Sequence, residues 1–197
     1  MLPRRSLLCL SVLALSLVQC GGGPNGAVDD ELEAELAYLG LDRSIDRAID
    51  LGFKGFNEAK SATIPEQSEA GELSGTMIVN GKVDQGSSSN KNMDLNVTLR
   101  DDYADTVLEG ERAVVYNGGP AQLALSFKGL PNATFSGTFT GSFVMTGDLA
   151  SSVGLDLQLT GETEAGAGTM IVRKPGTIHV LGTATSDYGV FNVDVHL

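Results

Sequence analysis

Asp101-Asp102-Tyr103-Ala104-Asp105 is a dense run of oxygen donors, with Glu109 and Glu111 just after it. Carboxylates this close, Asp101, Asp102 and Asp105 above all, could hold calcium, a hard cation that collects several carboxylate and carbonyl oxygens. The run has neither the glycine at the sharp turn nor the ordered ligand spacing of an EF-hand. The competing reading is therefore a solvated loop at a strand end. The two histidines, His179 and His196, fall near the ends of two late strands that should be neighbours, so their rings can approach each other. Two imidazoles without cysteine make an incomplete transition-metal site unless a carboxylate joins them; otherwise they are separate surface residues. No serine sits in Gly-x-Ser-x-Gly, so a nucleophile elbow has no starting point. Asn96-Val97-Thr98 and Asn132-Ala133-Thr134 match the glycosylation acceptor pattern. No catalytic constellation emerges, and neither a cofactor nor an enzymatic activity is expected.

These side chains need elements to hold them. Residues 28–60 carry helical periodicity. Asp29, Asp30, Glu31 and Glu33 crowd the start, where carboxylates favour the positive end of the helix dipole. Leu32, Leu36, Leu39, Leu41, Ile45, Ala48, Ile49, Phe53 and Phe56 recur at three- and four-residue spacing, one apolar face. Gly40, Gly52 and Gly55 argue for two helices or for one with a break. The apolar face is expected to pack on the sheet that follows.

From residue 72 to 197 the period changes to two. Met77 and Val79, then Met93 to Leu99, Ala121 to Phe127, Phe135 to Met145, Val153 to Leu159, Ile178 with Val180, and Phe191 to Leu197 each alternate with polar residues. This is the pattern of antiparallel strands apolar on one side and wet on the other. Turn residues separate the series, as at Lys174-Pro175-Gly176 and Ser186-Asp187-Tyr188-Gly189, and short connections make successive strands neighbours. Residues 74–81 and 140–147 resemble each other weakly, as recurrent hairpins would. Gly75, Gly137 and Gly141 sit on the apolar register, where a glycine wastes burial unless the sheet bends or another backbone comes close. The expected fold is mainly β: an antiparallel meander of eight or nine strands forming a strongly curved sheet or barrel, with the N-terminal helical segment packed on it. A flat sandwich is the alternative.

The 197-residue chain carries a net charge of −12, suited neither to nucleic acid nor to anionic lipid surfaces. Its two cysteines, Cys9 and Cys20, both lie near the N-terminus, so the β-rich body has no disulfide and no thiolate chemistry. Arg4 and Arg5 precede an apolar run from Leu7 to Val18 that ends at Gln19-Cys20, too short to span a bilayer and typical of a removable export signal. Leu17-Val18-Gln19-Cys20 resembles the lipobox of bacterial lipoproteins, with Gln19 where that family usually has Gly, Ala or Ser. The resemblance implies a signal peptide over 1–19, removed by signal peptidase II. Cys20 would then carry diacylglycerol and an N-terminal acyl chain such as palmitate, since more than one chain anchors durably. Gly21 lacks the acidic charge that keeps such proteins in the inner membrane of enteric bacteria, which implies an outer-membrane address facing the periplasm or the surface. The other reading is an ordinary secretory signal with no lipid. Residues 20–27, rich in glycine, would serve as a flexible tether, and 28–197 as a single domain.

Two functions fit these expectations best, and a third, a calcium-dependent adhesion module, rests on the Asp101 cluster alone. One is a lipid-anchored, non-catalytic structural or protein-interaction module whose partners are the membrane, through Cys20, and another envelope protein. The other is a carrier for a lipid or other apolar ligand inside the curved sheet, with Phe135, Phe139, Phe143, Met145 and Leu157 lining the cavity. The same five residues would equally serve as a filled core. A spanning outer-membrane barrel would use the same alternation, but it would make a lipid anchor redundant.

Overall fold

The computed structural model describes residues 26–84, 91–104, 114–168 and 170–197. Its one helix among them, α1, spans Glu31–Glu58 without interruption, so the break expected at the glycines does not occur. Asp30 caps it, accepting a hydrogen bond from the Glu33 amide at 3.0 Å, with Glu31 and Glu33 in the first turn. Such a cap satisfies one of the otherwise unpaired amides of the first turn. The glycines have another purpose: they admit the sheet. A β-carbon at Gly40 would lie 2.1 Å from the Tyr116 hydroxyl, and one at Gly52 would lie 2.3 Å from Leu95 Cδ1.

Gly40→Ala therefore sets two effects against each other. Alanine is better in a helix by about 1 kcal/mol. Against that stand overpacking at a cost of about 1–3 kcal/mol and displacement of the buried hydrogen bond from the Tyr116 hydroxyl to the Ala37 carbonyl, 2.7 Å. Net destabilisation of about 2 kcal/mol is expected in chemical denaturation. Combining it with Tyr116→Phe should cost less than the sum of the two single changes, because both act at one contact. Additive costs would show that the clash is relieved elsewhere.

Among the described residues ten strands follow: β1 Thr63–Ala70, β2 Ser74–Val83, β3 Lys91–Ala104, β4 Val114–Gly118, β5 Ala121–Leu130, β6 Thr134–Gly147, β7 Ser152–Ala165, β8 Ile171–Arg173, β9 His179–Ser186 and β10 Gly189–His196. All pair antiparallel in one sheet, in the order β1-β2-β3-β5-β6-β7-β9-β10. β4 continues the line of β5 along β6, with Gly119 and Pro120 between them, and β8 stands beside the C-terminal end of β7 as β9 stands beside the rest. The result is a meander with two of its lines interrupted. β1 extends the meander N-terminally beyond the residue-72 start read from periodicity.

The inward series are those the period-two pattern marks. Met77, Val79, Met93, Leu95, Val97, Leu99, Leu123, Leu125, Leu155, Leu157 and Val180 are all buried. Curvature has a local cause at Gly75, where φ is +76° and a β-carbon would meet the Tyr103 Cα at 2.4 Å. Only glycine accepts both the left-handed backbone and the close approach, and the β2–β3 register shifts there, between Ser74 and Thr76. The sheet curls but does not close into a barrel. β1 and β10 remain its two edges, and α1 packs against β1 and β2 at one side and β8, β9 and β10 at the other. The helix thus fills the seam that a closed barrel would have sealed with hydrogen bonds. Among the described residues no helix is long and apolar enough to cross a membrane.

Candidate functional site

The five residues read as ligand lining or core, Phe135, Phe139, Phe143, Met145 and Leu157, share the concave face and are at most 3% exposed. Phe139 stacks on Phe143 with centroids 6.3 Å apart, and Phe143 meets Tyr116 edge-on at 5.3 Å. Phe53 of α1 meets Phe127 edge-on at 6.0 Å, and Phe127 packs against Phe135 at 5.8 Å. Helix and sheet side chains form one continuous cluster, so these residues are placed as core. Tyr116 is held well above the ordinary phenol range by burial; it stays neutral and donates to Ala37.

Asp101 and Asp102 do not converge on a common point. Both have left-handed backbone, φ 63° and 55°, a conformation Asp tolerates better than most residues. The kink turns Tyr103 inward, where its hydroxyl lies 3.4 Å from Ser44 Oγ. Asp101 pairs with Arg100 at 3.2 Å, while the Asp102 carboxylate accepts from the Gly118 amide at 3.1 Å. Asp102 therefore helps to hold β3 against β4. Asp105, Glu109, Glu111 and Cys20, the residue expected to carry lipid, lie outside the described residues.

A site that periodicity did not reveal lies at the rim between α1 and β8. Arg173 has a side chain only 4% exposed, yet it carries a full charge. It grips Asp42 with two nitrogens, each at 2.8 Å, and its Nε reaches Asp46 at 2.6 Å. Burial works against the charged guanidinium, but the hydrogen bonds and charges of Asp42 and Asp46 outweigh it and hold it protonated. The Tyr38 hydroxyl donates to the same Asp42 oxygen, and its own ionisation is pushed far up by burial, then by Asp42. Beside this cluster opens a groove of about 440 Å³ lined by Ile49, Ile171, Ile178 and Leu197 together with Asp46 and Asp50. Burial, with Asp46 and Glu69 nearby, raises the Asp50 carboxyl above its usual range. Asp42 and Asp46 are one helical turn apart on α1, but their partner lies far along the chain on a three-residue strand, so no local spacing announces it.

The convex face carries the polar half of the alternation. Open grooves of about 430 and 590 Å³ run across it, lined by small residues such as Ser126, Ser136, Ser142, Gly154 and Thr185. At its β10 edge the two histidines come together. Their rings stack with centroids 3.9 Å apart and planes 14° from parallel. Asp194 joins them: its Oδ1 lies 2.8 Å from His179 Nε2 and 3.5 Å from His196 Nε2. The turn at Ser186–Gly189 was readable, and a two-residue hairpin turn pairs positions equidistant from it. That register places His196 opposite His179, and Asp194, two residues away on the same face, could have been found by the same count.

No known family model matches the chain, and neither a characterised protein nor a solved structure shows significant similarity to it.

Proposed function

We propose that this protein is a lipid-anchored lipoprotein of the bacterial outer membrane whose folded body is a non-catalytic structural or protein-interaction module. The observation that carries this reading is the occupied concave face. A carrier of apolar ligands needs that face as the wall of a cavity, whereas here the side chains of α1 and of the sheet bury one another. Surface remains for contact with other proteins. Val144 on β6, Leu181 on β9, Val190 on β10 and Tyr188 in the turn between the last two are all more than 40% exposed, and β1 and β10 are the edge strands of the sheet.

The anchor rests on the resemblance of Leu17–Cys20 to a lipobox, and one experiment examines anchor and body together. The full chain is extracted from envelopes of cells fed labelled palmitate, then weighed by native mass spectrometry. A covalent acyl mass on Cys20 with no further adduct is expected, and Cys20→Ser should abolish the label and release the protein from the membrane fraction. A discrete non-covalent mass that extracts into organic solvent would make the body a carrier instead. Label retained in Cys20→Ser, or none in the unmodified chain, would sink the anchor.

A further inference from the structure

We propose that His179, Asp194 and His196 form a surface site for a divalent transition-metal ion of the zinc–copper class. The sequence holds two histidines in 197 residues, and the fold stacks both on one carboxylate. The backbone fixes that meeting. Ile178 and Leu197 exchange both of their hydrogen bonds, at 3.1 and 3.0 Å. The next pair along the ladder, His179 and His196, is therefore a non-hydrogen-bonded pair, the kind in which opposing side chains stand closest. Asp194 is two residues from His196 and so projects from the same face.

The donor set is two imidazole nitrogens and one carboxylate oxygen, suited to zinc, copper or nickel rather than to calcium or magnesium, which prefer oxygen alone. One ligand atom from each of the three residues fits within a 4.8 Å cluster. Tetrahedral zinc with bonds near 2.0 Å needs ligand atoms about 3.3 Å apart; the two nitrogen–oxygen separations, 2.8 and 3.5 Å, bracket that value. A modest rotation of each ring, from stacked to splayed, would aim both Nε2 lone pairs at a shared ion. The side chains are 31%, 58% and 72% exposed for His179, Asp194 and His196, so the ion can enter from solvent. Overall charge helps, since a chain at −12 attracts cations. Three protein ligands leave a coordination position for water or for a donor from another molecule. By the usual ordering of divalent ions, copper would bind more tightly than zinc.

The test adds zinc chloride to the full chain while following the histidine ring protons by NMR and the binding heat by calorimetry. With two histidines in the sequence, the ring signals need little assignment. Both should move together and saturate at one zinc per chain. His179→Asn, His196→Asn and Asp194→Asn should each weaken binding by about tenfold or more. Asp156→Asn, on the same convex face, should leave it unchanged. Circular dichroism confirms that each variant folds. Zinc that shifts neither ring saturably at millimolar concentration would overturn the site. So would equal binding by the double histidine variant.

Discussion

Phe139→Ala is expected to destabilise the fold by about 3–5 kcal/mol, the usual cost of removing a buried aromatic and leaving its cavity. In a domain of this size that corresponds to a fall in melting temperature of roughly 6–20 °C. Phe139 is 1% exposed, and it stands directly between Leu123 on β5 and Leu157 on β7, with Phe143 stacked beside it. No rearrangement of one neighbour can fill the space, because those neighbours are fixed in the ladder on both sides. The number also separates the two functional readings. A wall residue of an apolar cavity already faces open space, and truncating it would enlarge that space at little cost. A core residue pays the full transfer and cavity penalty. Val144→Ala, on the same strand but 54% exposed, is the matched control and should stay within about 0.5 kcal/mol of the unsubstituted protein. Thermal unfolding followed by circular dichroism measures both. A Phe139→Ala protein that melts within a few degrees of the original would argue for a hollow interior and restore the carrier.

The sheet was legible because its burial is one-sided. From β2 to β10 every long strand buries alternate residues, and a register error of one position would expose an entire apolar series. β1 escaped for the same reason inverted: of its eight residues only Ile64 is buried, so it shows no alternation to read. It is an edge strand that contributes hydrogen bonds more than core. The helix was legible as an apolar stripe, but its glycines were misread as breaks. Intrinsic propensity assigns glycine to helix ends, whereas here Gly40 and Gly52 are required by Tyr116 and Leu95, residues of strands far along the chain. Tertiary packing overrode the local preference.

The candidate sites show the same division between local and distant information. The histidine pair follows from one hairpin and its turn, a local count. Asp101 and Asp102, adjacent in sequence, are turned toward different partners by their left-handed backbone. Proximity in sequence was therefore a poor guide to convergence in space. Arg173 lies at the opposite extreme. Its carboxylate partners are on the N-terminal helix, 127 and 131 residues away, and nothing in the pattern around Ile171–Arg173 sets it apart from any other strand-end arginine.

Arg173→Ala should be comparably severe, at about 3 kcal/mol. Breaking a buried ion pair by removing one partner costs about 3–5 kcal/mol, because the surviving charge is left without compensation. The lower end applies here, since Asp42 is 21% exposed and Asp46 53%, so water recovers part of the loss. What remains is Asp42 beside the neutral Tyr38 hydroxyl, with its bidentate partner gone. β8 is only three residues long and is paired through Thr163, Glu164 and Ala165, so the guanidinium is a principal tie between that short strand and α1. Hydrogen exchange should accordingly quicken at the β8 amides before the rest of the sheet responds. Replacing Arg173 and its less exposed partner by neutral groups of similar shape, Asp42→Asn with Arg173→Met, should recover much of the stability lost by Arg173→Ala, because the one carboxylate left without its partner, Asp46, is 53% exposed and hydrated. If the double variant instead melts below Arg173→Ala, the Asp42 carboxylate stabilises the rim even without the guanidinium, through its bond from the Tyr38 hydroxyl, and an uncompensated charge is not what Arg173→Ala costs.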